Sequence, residues 1–229
     1  MKKKNKKVLF ITSKGFDKLW KKQLLNISFS DRIIIIKDIR DKILANIKTC
    51  TAMIGCPRYI FAEENFSYFK HLDWIHAGGA GIEDFLTNDF VKSNTVFTNG
   101  KIIQGPEVAD HAMALLLSFT RNLYWLAKNE TLIDRPIELF NKKALIIGLG
   151  GIGVCLAERL NAFGTKVDAF TNEMTPMLSF INNIFFGKDL INRIKDYDIV
   201  VCTAPHTKKT YRLLNYPFFK AMKKKSIFV

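Results

Sequence analysis

Short apolar runs alternate with longer polar, helix-compatible stretches along this chain. In the first hundred residues the runs are Val8–Thr12, Arg32–Lys37, Ala52–Gly55 and Trp74–Ala77, with Thr95–Thr98 as a candidate fifth. They are short and rich in valine, isoleucine and aromatics. Near-continuous apolar strands separated by helices are what a parallel sheet covered on both faces requires. A three- and four-residue period follows. Gly105-Pro106-Glu107 opens it, and Val108, Ala109, Ala112, Leu115, Leu116, Phe119, Leu123 and Leu126 carry it. The pattern predicts one long helix fading near Asn129, with Pro106 in the first turn, where a missing N–H costs nothing. After a loop at Asp134-Arg135-Pro136 the alternation resumes. It predicts strands at Lys143–Gly148, Lys166–Phe170, Ile184–Phe186, Asp198–Thr203 and Ser226–Val229, and helices at Ile152–Phe163, Asp189–Lys195 and Pro217–Met222. The fold class is therefore α/β, with two doubly wound parallel-sheet domains spanning residues 1–104 and 105–229.

Composition narrows this picture. A chain of 229 residues, 48% of them hydrophobic, suits one or two globular domains. No apolar run approaches the ~20 residues that cross a bilayer. The basic start Met1–Lys7 resembles the first part of a secretion signal, but Val8–Ile11 is shorter than the ~7–15 apolar residues that should follow. A cytoplasmic protein is expected, with no membrane partner. The formal charge of +14 raises the question of nucleic acid. The excess is lysine scattered over the chain, with short runs only at Lys2–Lys7 and Lys223–Lys225. No zinc finger, basic helix or RNA-binding aromatic signature goes with it, so a solvated lysine-rich surface is expected and no nucleic-acid partner. Cys50, Cys56, Cys155 and Cys202 show no metal-ligand spacing and read as small buried thiols in a reducing compartment; no metal is expected.

Gly148-Leu149-Gly150-Gly151-Ile152-Gly153 fits G-x-G-x-x-G. Alone the pattern is weak. Here it follows a predicted strand and opens a predicted helix, with another strand about fifteen residues on, which is the context of a dinucleotide-binding turn. Gly148 permits the tight turn, Gly150 removes a Cβ from the approach of a pyrophosphate, and Gly153 lets helix pack on strand. The N–H groups around Gly151 and Ile152 then face the phosphates from the positive end of the helix. The end of the next strand ordinarily supplies an acid for the ribose 2′-hydroxyl of NAD. That position holds Thr171. Asp168 lies three residues earlier, inside the strand, and Glu173 is two residues late but within reach. With no carboxylate at Thr171 and lysines in abundance, the cofactor is NADP or NAD, with NADP favoured.

With that turn in place, four segments resemble the D-isomer-specific 2-hydroxyacid dehydrogenases, in particular their glyoxylate/hydroxypyruvate reductase-like branch. Trp74–Glu83 is similar to the family's G-A-G-V-D loop. Val108-Ala109-Asp110-His111-Ala112, with the helix to Arg121, is similar to its A-E-H-A helix, with Asp for Glu. Leu145–Val167 is similar to its nucleotide-binding turn and helix. Asp198–Thr207, with Thr210, is similar to its D-I-V stretch ending P-x-T-x-x-T. The matches run in order over nearly the whole chain. The resemblance implies a flavodoxin-like substrate domain followed by an incomplete Rossmann NAD(P)-binding domain. It also implies hydride transfer between NAD(P)H and a small 2-keto or 2-hydroxy acid, and a homodimer when intact. It assigns the substrate carboxylate to the backbone of Ala80 and Gly81, where a tight turn beside the core is the other explanation of the glycines. It assigns the adenosine side of the cofactor cleft to Thr203, Ala204 and Pro205, although proline past a strand end is also an ordinary terminator.

The resemblance also implies an incomplete catalytic set. The family's arginine follows the strand that Ser226–Val229 begins, and its glutamate and histidine come later. No catalytic residue is therefore assigned here, and a fragment without turnover is expected. His76 and His111 read as structural, and His71 and His206 as surface or cleft-edge residues. A non-catalytic dinucleotide-binding sensor or corepressor-like module is the alternative.

Overall fold

The computed structural model describes residues 6–12, 21–24, 26–28, 30–61, 67–130 and 135–229. Most of the lysine-rich start and Asp134 of the expected loop lie outside the described residues. The chain divides into two compact units, Met1–Gly100 and Lys101–Val229. No helix among the described residues is long and apolar enough to cross a membrane.

Unit 1 carries β1 (Val8–Thr12), β2 (Ile33–Lys37), α1 (Arg40–Ile47), β3 (Ala52–Ile54), β4 (Trp74–Ala77), α2 (Asn88–Val91) and β5 (Val96–Asn99). The sheet is parallel throughout, in the order β2-β1-β3-β4-β5. This is the flavodoxin-like order, with its reversal between β1 and β3. Register puts Leu9 beside Met53 and Met53 beside Ile75, and all three are fully buried in one row across the sheet. Beneath that row Phe61 stacks on Phe69 at 5.3 Å and meets Phe85 and Phe90 edge-on, each at 5.1 Å, the geometries aromatic rings prefer.

Unit 2 opens with α3 (Gly105–Thr120) and α4 (Leu123–Ala127). It continues through β6 (Lys143–Ile147), α5 (Gly151–Ala162), β7 (Lys166–Phe170), β8 (Asn183–Phe185) and α6 (Leu190–Ile194). It ends with β9 (Ile199–Cys202), α7 (Tyr216–Ala221) and β10 (Ile227–Phe228). The parallel order is β10-β9-β6-β7-β8. Counted from β6 this reads 3-2-1-4-5, five strands of the Rossmann order. The strands are apolar on both sides because both faces are covered. Ala144 and Ile146 pack with Met113, Leu116, Leu156 and Leu160. Leu145, Ile147 and Val200 pack with Leu190, Ile194 and Phe218 on the other face.

One expected element is corrected. The apolar period predicts a single helix through Leu126, but α3 ends at Thr120 and a separate α4 begins at Leu123. Between them Asn122 has φ of 57°, in the left-handed region that asparagine tolerates and a helix does not continue through. Periodicity reports which positions are apolar and is blind to one residue of left-handed backbone.

Two polar links inside unit 2 come from residues of the motifs. Asp110 on α3 accepts from Arg159 Nε on α5 at 2.6 Å, while the same guanidinium donates to the carbonyls of Cys155 and Pro106. One arginine thus joins the two helices that cover one face of the sheet. At the other end of the strands Asp198 accepts from the Lys143 backbone N–H at 2.9 Å and from Lys223 Nζ at 2.6 Å. Burial pushes the Asp198 carboxyl up, but these two donors outweigh it and hold the group below its ordinary value. A carboxyl lowered by folding stabilises above its unfolded pKa, about 4, and the contribution disappears as pH falls through the folded value. Asp198→Asn is therefore expected to cost about 1–2 kcal/mol near neutral pH. Urea denaturation at neutral and at strongly acidic pH checks it: the gap between variant and wild type closes in acid, and a gap that stays constant contradicts the assignment.

Candidate functional site

In unit 2 the reversal of strand order lies between β6 and β9, and the turns leaving both strands meet there. Gly148 follows β6 with φ of 95°. A Cβ on it would stand 2.6 Å from the Ala204 nitrogen, so the main chain after β9 lies directly against the turn. Thr203 completes the contact by donating its hydroxyl to the Gly148 carbonyl at 2.5 Å. Gly153, in the first turn of α5, faces the same place: a Cβ there would overlap the Gly148 carbonyl and sit 2.9 Å from Thr203 Oγ1. Gly150 is different. It caps α5 with no side-chain hydrogen bond and extended backbone, and a Cβ on it would meet nothing within 4 Å. The cradle is therefore tight on the protein side and open at Gly150, the shape an incoming pyrophosphate requires next to a helix N-terminus.

Each residue assigned to the cofactor from sequence has a definite place. Gly148, Gly150, Gly151, Ile152 and Gly153 form the turn and the start of α5. Thr203 and Ala204 back the turn, and Pro205 is exposed just beyond them. Thr171 directly follows β7 but is buried, and its hydroxyl accepts the Glu173 N–H at 3.2 Å. Glu173 is thereby held three residues past the strand end and exposed to solvent. Asp168 is committed inside the sheet, accepting from the Tyr197 hydroxyl at 2.7 Å and Asn183 Nδ2 at 3.0 Å. Burial first, and then Asp168, push the Tyr197 phenol well up and keep it a donor. The loop's threonines hold the loop itself: Thr207 N–H donates to Thr210 Oγ1, which donates to the Pro205 carbonyl at 2.6 Å.

In unit 1 the loop Gly78–Gly81 leaves the carboxyl end of β4, the side on which open α/β sheets bind ligands. Its carbonyls are tied down: Gly100 N–H donates to Gly79 at 3.0 Å and Asn99 Nδ2 donates to Ala80 at 2.6 Å. Among the described residues the N–H groups of Ala80 and Gly81 form no hydrogen bond, which leaves two donors for an anion. Sequence reasoning missed the charges around this loop. The Arg58 guanidinium and the Glu83 carboxylate both lie next to the Gly81 α-carbon, and Arg58 pairs with Asp84 at 2.9 Å. The available signal was position: Arg58 follows β3 at the same carboxyl end of the sheet.

The histidines divide. His76 Nδ1 lies 2.9 Å from Thr98 Oγ1, which also accepts from Trp74 Nε1. His71 Nε2 lies 3.0 Å from the Ile47 carbonyl. His111 and His206 are exposed. Of the four cysteines, all free, Cys50 and Cys56 are buried as expected, whereas Cys155 and Cys202 are half-buried. Burial pushes the Cys56 and Cys202 thiols up, so neither is a thiolate at neutral pH.

The two kinds of glycine separate experimentally. Gly153→Ala is expected to destabilise by about 2–3 kcal/mol, because the added methyl overlaps main chain. Gly150→Ala should change stability by under ~1 kcal/mol yet weaken NADH about tenfold or more, since its methyl enters the phosphate approach. Urea denaturation with NADH fluorescence titration decides, and equal effects at both positions would contradict the cradle.

Comparison with known proteins bears on the family and the fold. Residues 112–229 match the D-isomer specific 2-hydroxyacid dehydrogenase, NAD binding domain. The chain is 25% identical over 205 residues to a glyoxylate reductase of Pyrococcus horikoshii, covering 83% of this chain and 60% of that protein. It is 27% identical over 197 residues to one of Thermofilum pendens, covering 81% and 58%. It thus spans about 60% of the length of these relatives. A D-isomer specific 2-hydroxyacid dehydrogenase family protein of Aeromonas salmonicida has the same fold, with a TM-score of 0.78, 20% identity and coverage of 97% of this chain and 72% of that one. The chain belongs to the D-isomer-specific 2-hydroxyacid dehydrogenase family.

Proposed function

We propose that this chain holds NAD(P)H at the Gly148–Gly153 turn and a small 2-keto acid of the glyoxylate or hydroxypyruvate type at the Ala80–Gly81 loop. The observation that carries the reading is the Gly150 cradle, open to solvent beside the unsatisfied start of α5. When bound, the cofactor supplies a hydride for the keto carbon. The chain's own part is to grip. The N–H groups around Gly151 and Ile152 take the pyrophosphate, and those of Ala80 and Gly81 take the substrate carboxylate. Arg58 is already paired with Asp84, so the main-chain donors are the ones left for the anion. Reduction also needs a cation to polarise the carbonyl and an acid to protonate the forming alkoxide. His71 and His76 are committed to structural hydrogen bonds. The free thiols suit a cytoplasmic protein.

NADP is favoured over NAD because Thr171 brings no carboxylate to the end of β7; Glu173 is the group that opposes it. NADPH and NADH are expected to quench protein fluorescence with submillimolar affinity, and an oxalate or oxamate titration of the NADPH complex reports the substrate loop. Glu173→Gln should tighten NADPH several-fold, about 1 kcal/mol for one like charge removed, and leave NADH nearly unchanged. A wild type with no affinity for either dinucleotide sinks the reading, and one that prefers NADH sinks the NADP preference.

The partner we propose is a second copy, through the outward side of α3 and α4. Leu115 and Phe119, four residues apart, are 53% and 63% exposed, and Leu123 and Leu126 continue the patch at 49% and 52%. Large apolar side chains exposed close together along the chain are the feature on which the proposal rests, since exposed apolar patches mark interaction surfaces. Light scattering is expected to give a dimer and Phe119→Asp a monomer; a wild-type monomer at every concentration removes the proposal.

A further inference from the structure

We infer that Ile102 is a positioning residue for the dinucleotide turn, its left-handed main chain acting as the backstop that holds Gly151. The inference rests on the dinucleotide reading of that turn. Ile102 has φ of 80°, a conformation that a β-branched side chain resists more than any other type. Burial does not compensate for it, because Ile102 is 70% exposed and its neighbour Ile103 78%. What the conformation achieves is done by main chain. The Ile102 carbonyl accepts the Gly105 N–H at 2.9 Å, closing the turn that starts α3. Its α-carbon stands 2.9 Å from where a Cβ on Gly151 would be. Gly105 approaches the same residue from the other side of that turn: a Cβ on it would lie 2.9 Å from the Gly151 carbonyl oxygen and 3.3 Å from Cys155 Sγ. Gly151 is therefore enclosed by two stretches of backbone, while the adjacent Gly150 faces open space. Strained backbone of this kind persists only where its surroundings over-determine it, and it clusters at ligand sites.

The physical consequence concerns order. The N–H groups of the first turn of α5 have no partner within the helix, so their direction is fixed only by what packs behind them. A backstop at Gly151 sets that direction before the pyrophosphate arrives and reduces the ordering that binding must supply. The Ile102 side chain stands a little farther off, with Cγ1 3.4 Å from the same Cβ position, so the nearest wall is main chain held by the left-handed conformation. Glycine at this position adopts that conformation but also leaves it freely, whereas asparagine is enriched in it.

Ile102→Gly and Ile102→Asn separate bracing from general stability. Both are expected to melt within about 3 °C of wild type. NADH should bind Ile102→Gly about five- to tenfold more weakly, the scale of losing preorganisation at one contact, while Ile102→Asn stays within about twofold of wild type. Without ligand, hydrogen exchange at the Val154 amide, which donates to the Gly150 carbonyl at 2.9 Å, should quicken in Ile102→Gly and not in Ile102→Asn. Unchanged exchange in Ile102→Gly overturns the inference even where every protein binds NADH. Loss of affinity in both variants in step with a falling melting temperature overturns it too, since that is the signature of a structural role. A wild type that does not bind NADH removes the reading beneath and the inference with it.

Discussion

Unit 2 depends on a place where main chain touches main chain. The turn after β6 and the turn after β9 approach until no Cβ fits between them, at Gly148 against Ala204 and at Gly153 against the Gly148 carbonyl. Close packing of this kind tolerates no extra atom. Everything around it serves to hold the contact in register. The Thr203 hydroxyl closes it on one side, and Asp110 with Arg159 fixes α3 against α5 on the other. Asp198 joins β6 to β9 at the far end of the strands. Several motif residues that read as ligand contacts thus have a prior task, which is to build the surface on which a ligand can rest.

Much of this was legible in the chain, for reasons that can be named. Parallel strands buried on both faces must be apolar along their length, so β1, β4 and β7 were readable to the residue. The glycine turn was readable because G-x-G-x-x-G follows one apolar run and opens a helical period, and in the structure Gly148 and Gly153 exclude a Cβ while Gly150 faces open space. The strand orders are less directly written: the run of apolar segments predicts parallel sheets, while the reversal between β1 and β3, or between β6 and β9, follows from crossover packing that local sequence does not encode.

What stayed hidden was hidden by geometry. Asn122 interrupts an apolar period that carries on unbroken past it, because a left-handed residue changes direction without changing polarity. Thr171 counted correctly as the residue after the strand, yet counting could not reveal that it is buried and bound to the Glu173 N–H. The link from Asp110 to Arg159 joins residues 49 apart in sequence, a spacing with no local signature. The nearness of Arg58 to Gly81 has the same character. It arises because the loops after β3 and β4 leave neighbouring parallel strands at the same carboxyl end.

The two units nevertheless share a logic. Each uses glycines directly after a strand, ties carbonyls of that segment into its own scaffold, and leaves N–H groups without an acceptor among the described residues. In unit 1 Asn99 and Gly100 take the carbonyls of Ala80 and Gly79; in unit 2 Thr203 takes that of Gly148. Satisfying acceptors and leaving donors is the way neutral backbone forms an anion-binding concavity, although at Gly81 the charges of Arg58 and Glu83 stand beside it. A lysine at either loop would attract anions more strongly, but it would attract all of them and pair with carboxylates such as Glu83. Donors fixed by main chain discriminate by position instead. The lysine-rich composition, scattered over the chain, therefore singles out no anion site, whereas the few positions without side chains single out the two proposed ones.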